Sequence, residues 1–136
     1  MKRMILTVLI LLSVGFLAYV RLAPTDVSRW HVPIGDAEDV TGSGWAARVI
    51  KEKPGALSEL NRAMLKLPRT ELIAGSVGEG RLTYITRSKV IGFPDFTTIE
   101  KDGDYIKLYA RLRFGSLDFG VNAGRLEGLI TTLKAG

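Results

Sequence analysis

The 136 residues suffice for one domain, since about 100 to 150 residues are needed to bury a sizeable core. A composition of 46% hydrophobic and 24% charged residues is globular, and zero cysteines exclude disulfides, thiolate metal sites, cysteine nucleophiles and a lipidated cysteine anchor. The formal charge of +5 points to a polyanion partner only until Lys2, Arg3 and Arg21 are recognised as flanks of an apolar run: 16 basic residues then face 14 acidic ones, a net +2 too mild to imply nucleic acid.

Residues 4–20, MILTVLILLSVGFLAYV, carry no charge. As a helix they span about 26 Å, the short end for a hydrocarbon core of about 30 Å, and Leu22 with a snorkelling Arg21 extends them. About eleven large apolar side chains, at roughly −0.3 to −0.6 kcal/mol each, outweigh Thr7, Ser13 and Gly15. A cleaved signal peptide shares this pattern, but cutting after Ala23 would leave Arg21 and Pro24 at unfavourable flanking positions, so the segment is expected to remain as an anchor. Lys2, Arg3 and the amino terminus outnumber Arg21. The positive-inside rule then predicts a single-pass protein of a bacterial inner membrane, with its C-terminal domain in the periplasm.

Residues 23–44 contain Pro24, Pro33, Gly35, Gly42 and Gly44 with Asp36, Glu38 and Asp39 and no sustained period. They read as a linker between the anchor, 1–22, and a domain at 45–136. Trp30 is expected to dock on the domain surface, and His31, the only histidine, lacks partners for a metal site. Residues 45–50 suit a strand. Beyond the Pro54-Gly55 break, Leu57, Leu60, Met64 and Leu67 share one helical face, and Pro68 ends that helix.

Residues 71–77 and 81–88 read as strands joined by Gly78-Glu79-Gly80, and 97–101 and 105–114 as a hairpin turning at Asp102-Gly103. In the last strand Ile106, Leu108, Ala110, Leu112 and Phe114 alternate with Tyr105, Lys107, Tyr109, Arg111 and Arg113, giving one buried and one polar face. Asn122 is the expected N-cap of a final helix with Leu126, Leu129, Ile130 and Leu133 as its apolar stripe. The expected fold is α+β: an N-terminal transmembrane helix, then a β-α-β-β-β-β-α two-layer sandwich with two helices on one face of an antiparallel sheet.

Gly42-Ser43-Gly44-Trp45-Ala46-Ala47 fits a dinucleotide fingerprint only superficially, because no strand precedes it and no helix follows directly. One histidine and no cysteine rule out the familiar nucleophilic triads. What remains is a set of arginines and carboxylates: Arg87, Asp95, Arg111, Arg113, Asp118 and Arg125. Arg111 and Arg113 lie two apart on a strand, so they share a face with Tyr105, Lys107 and Tyr109. That face offers paired donors to an anion, or it is solvated and paired with Glu100, Asp102 and Asp104. Asp118 and Asn122 either cap the last helix or shape a turn presenting its amides to an anion.

The segments TYITRS at 83–88, GFPD at 92–95 and RLRFGSLDFGVNAGRL at 111–126, in this order and spacing, resemble the bacterial and chloroplast family known as domain of unknown function 1499. The likeness covers about 56–133 and departs at Ala110, where the family often has serine, and at Ala123, where it often has a basic residue. It implies a family without an assigned activity, often membrane-linked. Two classes of function follow. One is a non-enzymatic, membrane-anchored envelope protein that binds a protein partner or small anionic ligand through residues drawn from Arg87, Asp95, Arg111, Arg113, Asp118, Asn122 and Arg125. The other is a metal-free, hydrolase-like enzyme with Asp95 or Asp118 as base and arginines as electrophilic stabilisers. No cofactor, metal or nucleic-acid partner is expected. Replacing Arg111 and Arg113 by glutamate is expected to abolish binding with a stability change within about 1 kcal/mol.

Overall fold

In the computed structural model, which describes residues 1–135, the apolar run forms α1 (Lys2–Leu22), long and apolar enough to cross a membrane. Val20 is the one residue along it that the domain buries. There follow α2 (Val27–Trp30), β1 (Val40–Thr41), β2 (Trp45–Lys51), α3 (Ala56–Lys66), β3 (Thr70–Ser76), β4 (Arg81–Arg87), β5 (Pro94–Asp102), β6 (Tyr105–Leu112) and α4 (Val121–Ala135). The six strands form a single sheet of order β1-β2-β6-β5-β4-β3, antiparallel at every pairing. The class is α+β, as the sequence pattern predicts.

The main core lies between the sheet and the pair α3 and α4. Leu57, Leu60 and Met64 of α3 and Leu126, Leu129 and Leu133 of α4 close over Leu82, Tyr84, Ile99, Ile106 and Leu108. Each such side chain contributes about 1.5 to 3 kcal/mol on leaving water. Helix α3 has Glu59 in its first turn and Lys66 in its last, matching the helix dipole, and it stops at Leu67 because Pro68 cannot continue it. The pairing Asp102↔Tyr105 places the hairpin turn on Gly103 and Asp104, one residue later than expected. Gly103 takes φ 60, as the first position of a type II′ turn requires. Central β5 begins at Pro94 rather than 97, where a residue without an N–H is tolerated, and it is buried on both faces as far as Glu100.

That two-sided burial comes from the stretch read as a linker. Residues 24–35 cross the second face of the sheet instead of spanning open solvent, and Val40–Thr41 join the sheet as β1. Trp30 stacks on Phe96, ring centroids 4.0 Å apart and planes 16° from parallel, with Ile85 and Ile73 alongside. Asp26 caps the short α2 by accepting from the Ser28 N–H, the His31 ring bonds to Thr83 and Glu79, and the Ile34 N–H donates to Glu100. Gly75, at φ +88, lies under this segment: a Cβ there would stand 1.9 Å from the Arg81 carbonyl oxygen of the neighbouring strand and 2.7 Å from His31 Cε1. The chain has no regular period here because it follows a sheet surface by single anchors, so neither helical nor strand spacing reveals the packing.

Candidate functional site

Register places the β4–β5 connection and the end of β6 at one edge of the sheet, since Arg87 pairs with Pro94 and Asp95 with Leu112. The C-terminal turns of α1 meet this same edge. Phe16 lies edge-on to Phe93 at 6.2 Å and Tyr19 to Phe114 at 5.8 Å, while Arg87 donates to the Val20 carbonyl at 3.2 Å. The seven residues expected to form a site divide over three places around this edge.

Four of them gather beneath α4. Arg125 donates to Asn122 Oδ1 at 2.6 Å and approaches Asp95 Oδ2 at 3.5 Å. Asp118 accepts from the backbone N–H groups of Gly120 and Asn122 at 2.9 and 3.0 Å. Helix α4 therefore starts at Val121 and Asp118 caps it, not Asn122, whose side chain is fully buried and turned toward Gly44 and Arg125. Phe119 and Gly120, at φ 54 and 79, bend the chain so that the Asp118 carboxylate reaches these amides. Burial raises the Asp95 carboxyl pKa despite the opposing charge of Arg125. For Asp118 burial also pushes upward, but the amides of Asn122 and Gly120 outweigh it and hold the carboxyl below its ordinary value.

Arg111 and Arg113 stand on the opposite face and are both engaged by the N-terminal segment. Arg111, 9% exposed, donates to the carbonyls of Trp30 at 2.6 Å and Tyr109 at 3.2 Å and to Thr98 Oγ1 at 2.9 Å. Its guanidinium lies between the rings of Trp30 and Tyr109, and burial lowers its pKa to about 10, so it is still a cation at neutral pH. Arg113 donates to the Pro24 carbonyl at 2.9 Å. The open, solvated strand face expected from the alternation is thus roofed over. Glu100 pairs with Arg81 and Asp102 with Lys107, so neither serves these arginines.

Arg87, the seventh, lines a recess of about 530 Å³ with Arg21, Arg69, Thr70, Glu71, Ser88, Lys89 and Gly92. The end of α1 supplies Arg21, which donates to the Val90 and Ile91 carbonyls. Ser88 Oγ accepts from the N–H groups of Gly92 and Phe93 and pins the 88–93 loop. Gly92 has φ +83, a backbone conformation that favours glycine, and the Arg21 side chain lies close over it. Arg69 adopts φ 52 and donates through Nε to the Arg87 carbonyl. Among the described residues none of Arg21, Arg69, Arg87 and Lys89 forms an ion pair, and Glu71 is the recess's one carboxylate. Of these cations Arg87 is among the residues expected from the sequence, where Arg21 figures only as a flank of the apolar run. Arg69 and Lys89, each within two residues of a strand end at this edge, carry the signal that was passed over.

An antiparallel six-stranded sheet backed by two helices, with an apolar helix seated on its edge, defines an α+β protein suited to membrane association. The chain belongs to the family described as Protein of unknown function (DUF1499), whose match spans residues 25–133. The match begins well before residue 56 and takes in the Trp30 segment, in keeping with its place on the sheet. Among curated proteins no match was found.

Proposed function

We propose that this is a membrane-anchored, non-catalytic binding domain on the periplasmic side of a bacterial inner membrane, and that it takes a small anion in the recess formed by Arg21, Arg69, Arg87 and Lys89. The observation that carries this reading is the charge of the recess. Four cations without an ion pair among the described residues line it with one carboxylate: Arg21, Arg69 and Arg87 each give some donors to backbone carbonyls, but their charge is not neutralised, whereas Arg125 is paired with Asp95, and Arg111 and Arg113 are covered by the N-terminal segment. Guanidinium groups that line one recess and keep N–H groups beyond those given to carbonyls favour phosphate-like oxyanions through charge-assisted hydrogen bonds. The hydrolase reading draws less support, because Asp118 is spent on backbone amides and Asp95 is 8% exposed beneath Arg125.

The test is calorimetric titration of the full chain in nonionic detergent with inorganic pyrophosphate. Saturable binding that weakens with salt is expected, falling about 30-fold in Arg69→Asn combined with Lys89→Gln. Asparagine tolerates the left-handed backbone at position 69, so the variant keeps its fold. Absence of saturable binding would overturn the proposal. A reporter enzyme active only in the periplasm, fused to the C-terminus, tests the orientation.

A further inference from the structure

We infer that the anion is the phosphate of an anionic phospholipid headgroup, and that the edge of the domain around the recess rests in the membrane interface. This deepens the binding-domain reading and rests on it.

The depth of the recess is set by α1. The uncharged run of this helix, residues 4–20, spans about 26 Å at 1.5 Å per residue, the short end for a hydrocarbon core of about 30 Å, and Arg21 follows it directly at the boundary. Arg21 sits in its last turn and forms one wall of the recess. A phosphate held there is at the level where headgroup phosphates surround a membrane helix. Phe93 packs against Phe16, six positions before Leu22 and so about 9 Å further along the axis toward the bilayer centre. The Phe93 ring therefore reaches deeper than Arg21, while the carbonyls of Val90 and Ile91 are held at the Arg21 side chain, and Val90 is 78% exposed.

The β6–α4 connection presents a second apolar tip at the same edge. Leu117 is exposed and Phe119 is 88% exposed. Phe119 also takes φ 54, a conformation a bulky side chain rarely adopts. Neither packing nor backbone ease accounts for an aromatic ring held out in this way. Tyr19 against Phe114 fixes this connection beside α1, as Phe93 against Phe16 fixes the other. Apolar tips on the bilayer side with lysine and arginine just above them reproduce the polarity profile of a bilayer interface. A free phosphate would use the cations alone, while a lipid engages cations and apolar tips together.

The full chain, released from nonionic micelles doped with equal amounts of phosphatidylglycerol and phosphatidylcholine, is read by native mass spectrometry. One retained phosphatidylglycerol is expected, preferred over phosphatidylcholine by about tenfold. Arg69→Asn with Lys89→Gln should lower its retention about 30-fold, at about fivefold per cation. Val90→Ser with Phe119→Ser should reduce lipid retention but leave pyrophosphate affinity unchanged. Equal retention of the two lipids, or retention indifferent to both double variants, sinks the lipid assignment. Pyrophosphate binding without lipid preference leaves the anion site standing and removes the lipid from it. Failure of both ligands removes both.

Discussion

The Arg111 guanidinium lies 5.4 Å from the centroid of the Trp30 ring and donates to the Trp30 carbonyl at 2.6 Å, so one sheet residue grips both the side chain and the backbone of the N-terminal segment. Phe96 stacks on that indole at 4.0 Å, and Thr98 Oγ1 and the Tyr109 carbonyl accept from Nη1 of the same guanidinium. The segment between α1 and the sheet is consequently a fixed layer of the fold, and α1 is positioned by it.

Trp30→Ala should release this layer. Removing a buried tryptophan costs roughly 3 to 5 kcal/mol, including the loss of an aromatic stack worth about 0.5 to 1.5 kcal/mol. Because the main core lies on the other face of the sheet, the expected product is a folded domain with a freed N-terminal segment. Limited trypsin digestion should then cut after Arg29 much faster than in the parent protein, while far-ultraviolet circular dichroism changes little. An unchanged cutting rate would show that the remaining anchors suffice.

Charge reversal at Arg111 now carries a different expectation from the one drawn on a solvated face. A glutamate at this site would set an unpaired carboxylate against the carbonyls of Trp30 and Tyr109, costing several kcal/mol. Arg111→Lys keeps the charge but not the fork, and should lose about 2 kcal/mol. Arg113, which holds the single Pro24 carbonyl and the Thr25 hydroxyl at 3.4 Å, should lose about 1 kcal/mol on replacement by alanine. Urea denaturation of the three variants reads the order; equal effects at 111 and 113 would contradict it.

The sheet, both packing helices and the membrane-type helix were legible because each rests on a period: two along β6, 3.6 along α3 and α4, and an uncharged run in α1. Residues 23–41 carry no period, and only Trp30 hinted that they pack. The capping pair was half legible. Asp118 and Asn122 were both singled out, but the left-handed turn at Phe119 and Gly120 moves the cap four positions upstream of the residue expected to supply it. The recess was the least visible feature, because Arg21, Arg69, Arg87 and Lys89 come from three parts of the chain and meet only through strand register and the seat of α1 on the sheet edge.

Ala110→Ser should be tolerated, and is expected to stabilise the domain by up to about 1 kcal/mol. Thr97 Oγ1 is buried without a hydrogen-bond partner among the described residues, and Thr97 stands directly opposite Ala110 in the β5–β6 register. A serine hydroxyl there can supply the missing bond across the two strands. Thr97→Val tests the same atom from the other side and should also be neutral or stabilising. A loss of more than about 1 kcal/mol in both would mean that the Thr97 hydroxyl is already satisfied in solution.

The two aspartates near α4 should act on acid stability in opposite senses. The Asp118 pKa is lowered in the fold, so its contribution is complete above the unfolded value of about 3.9 and is lost as pH falls through the lower folded value. The Asp95 pKa is raised by burial, so between the unfolded value and the raised one the folded protein holds a proton the unfolded chain releases. Its contribution therefore declines as pH rises through that window. Asp118→Asn should flatten the acid limb and cost about 1 to 2 kcal/mol at neutral pH, because its single amide oxygen can accept from only one of the two N–H groups that the carboxylate oxygens now serve. Asp95→Asn should remove the opposing slope and cost about 1 to 2 kcal/mol at neutral pH, since it removes one buried charge but leaves Arg125 with only the neutral oxygens of Asn122 and the new amide as acceptors. Arg125→Ala strands that charge instead. The Asp95 pKa then climbs further, the decline with rising pH extends upward, and neutral stability falls by about 3 to 5 kcal/mol. Urea midpoints between about pH 3 and pH 8 separate the three variants. A cost for Asp95→Asn equal to that of Arg125→Ala at neutral pH would mean that the ionised Asp95 holds the cluster together rather than being tolerated by it.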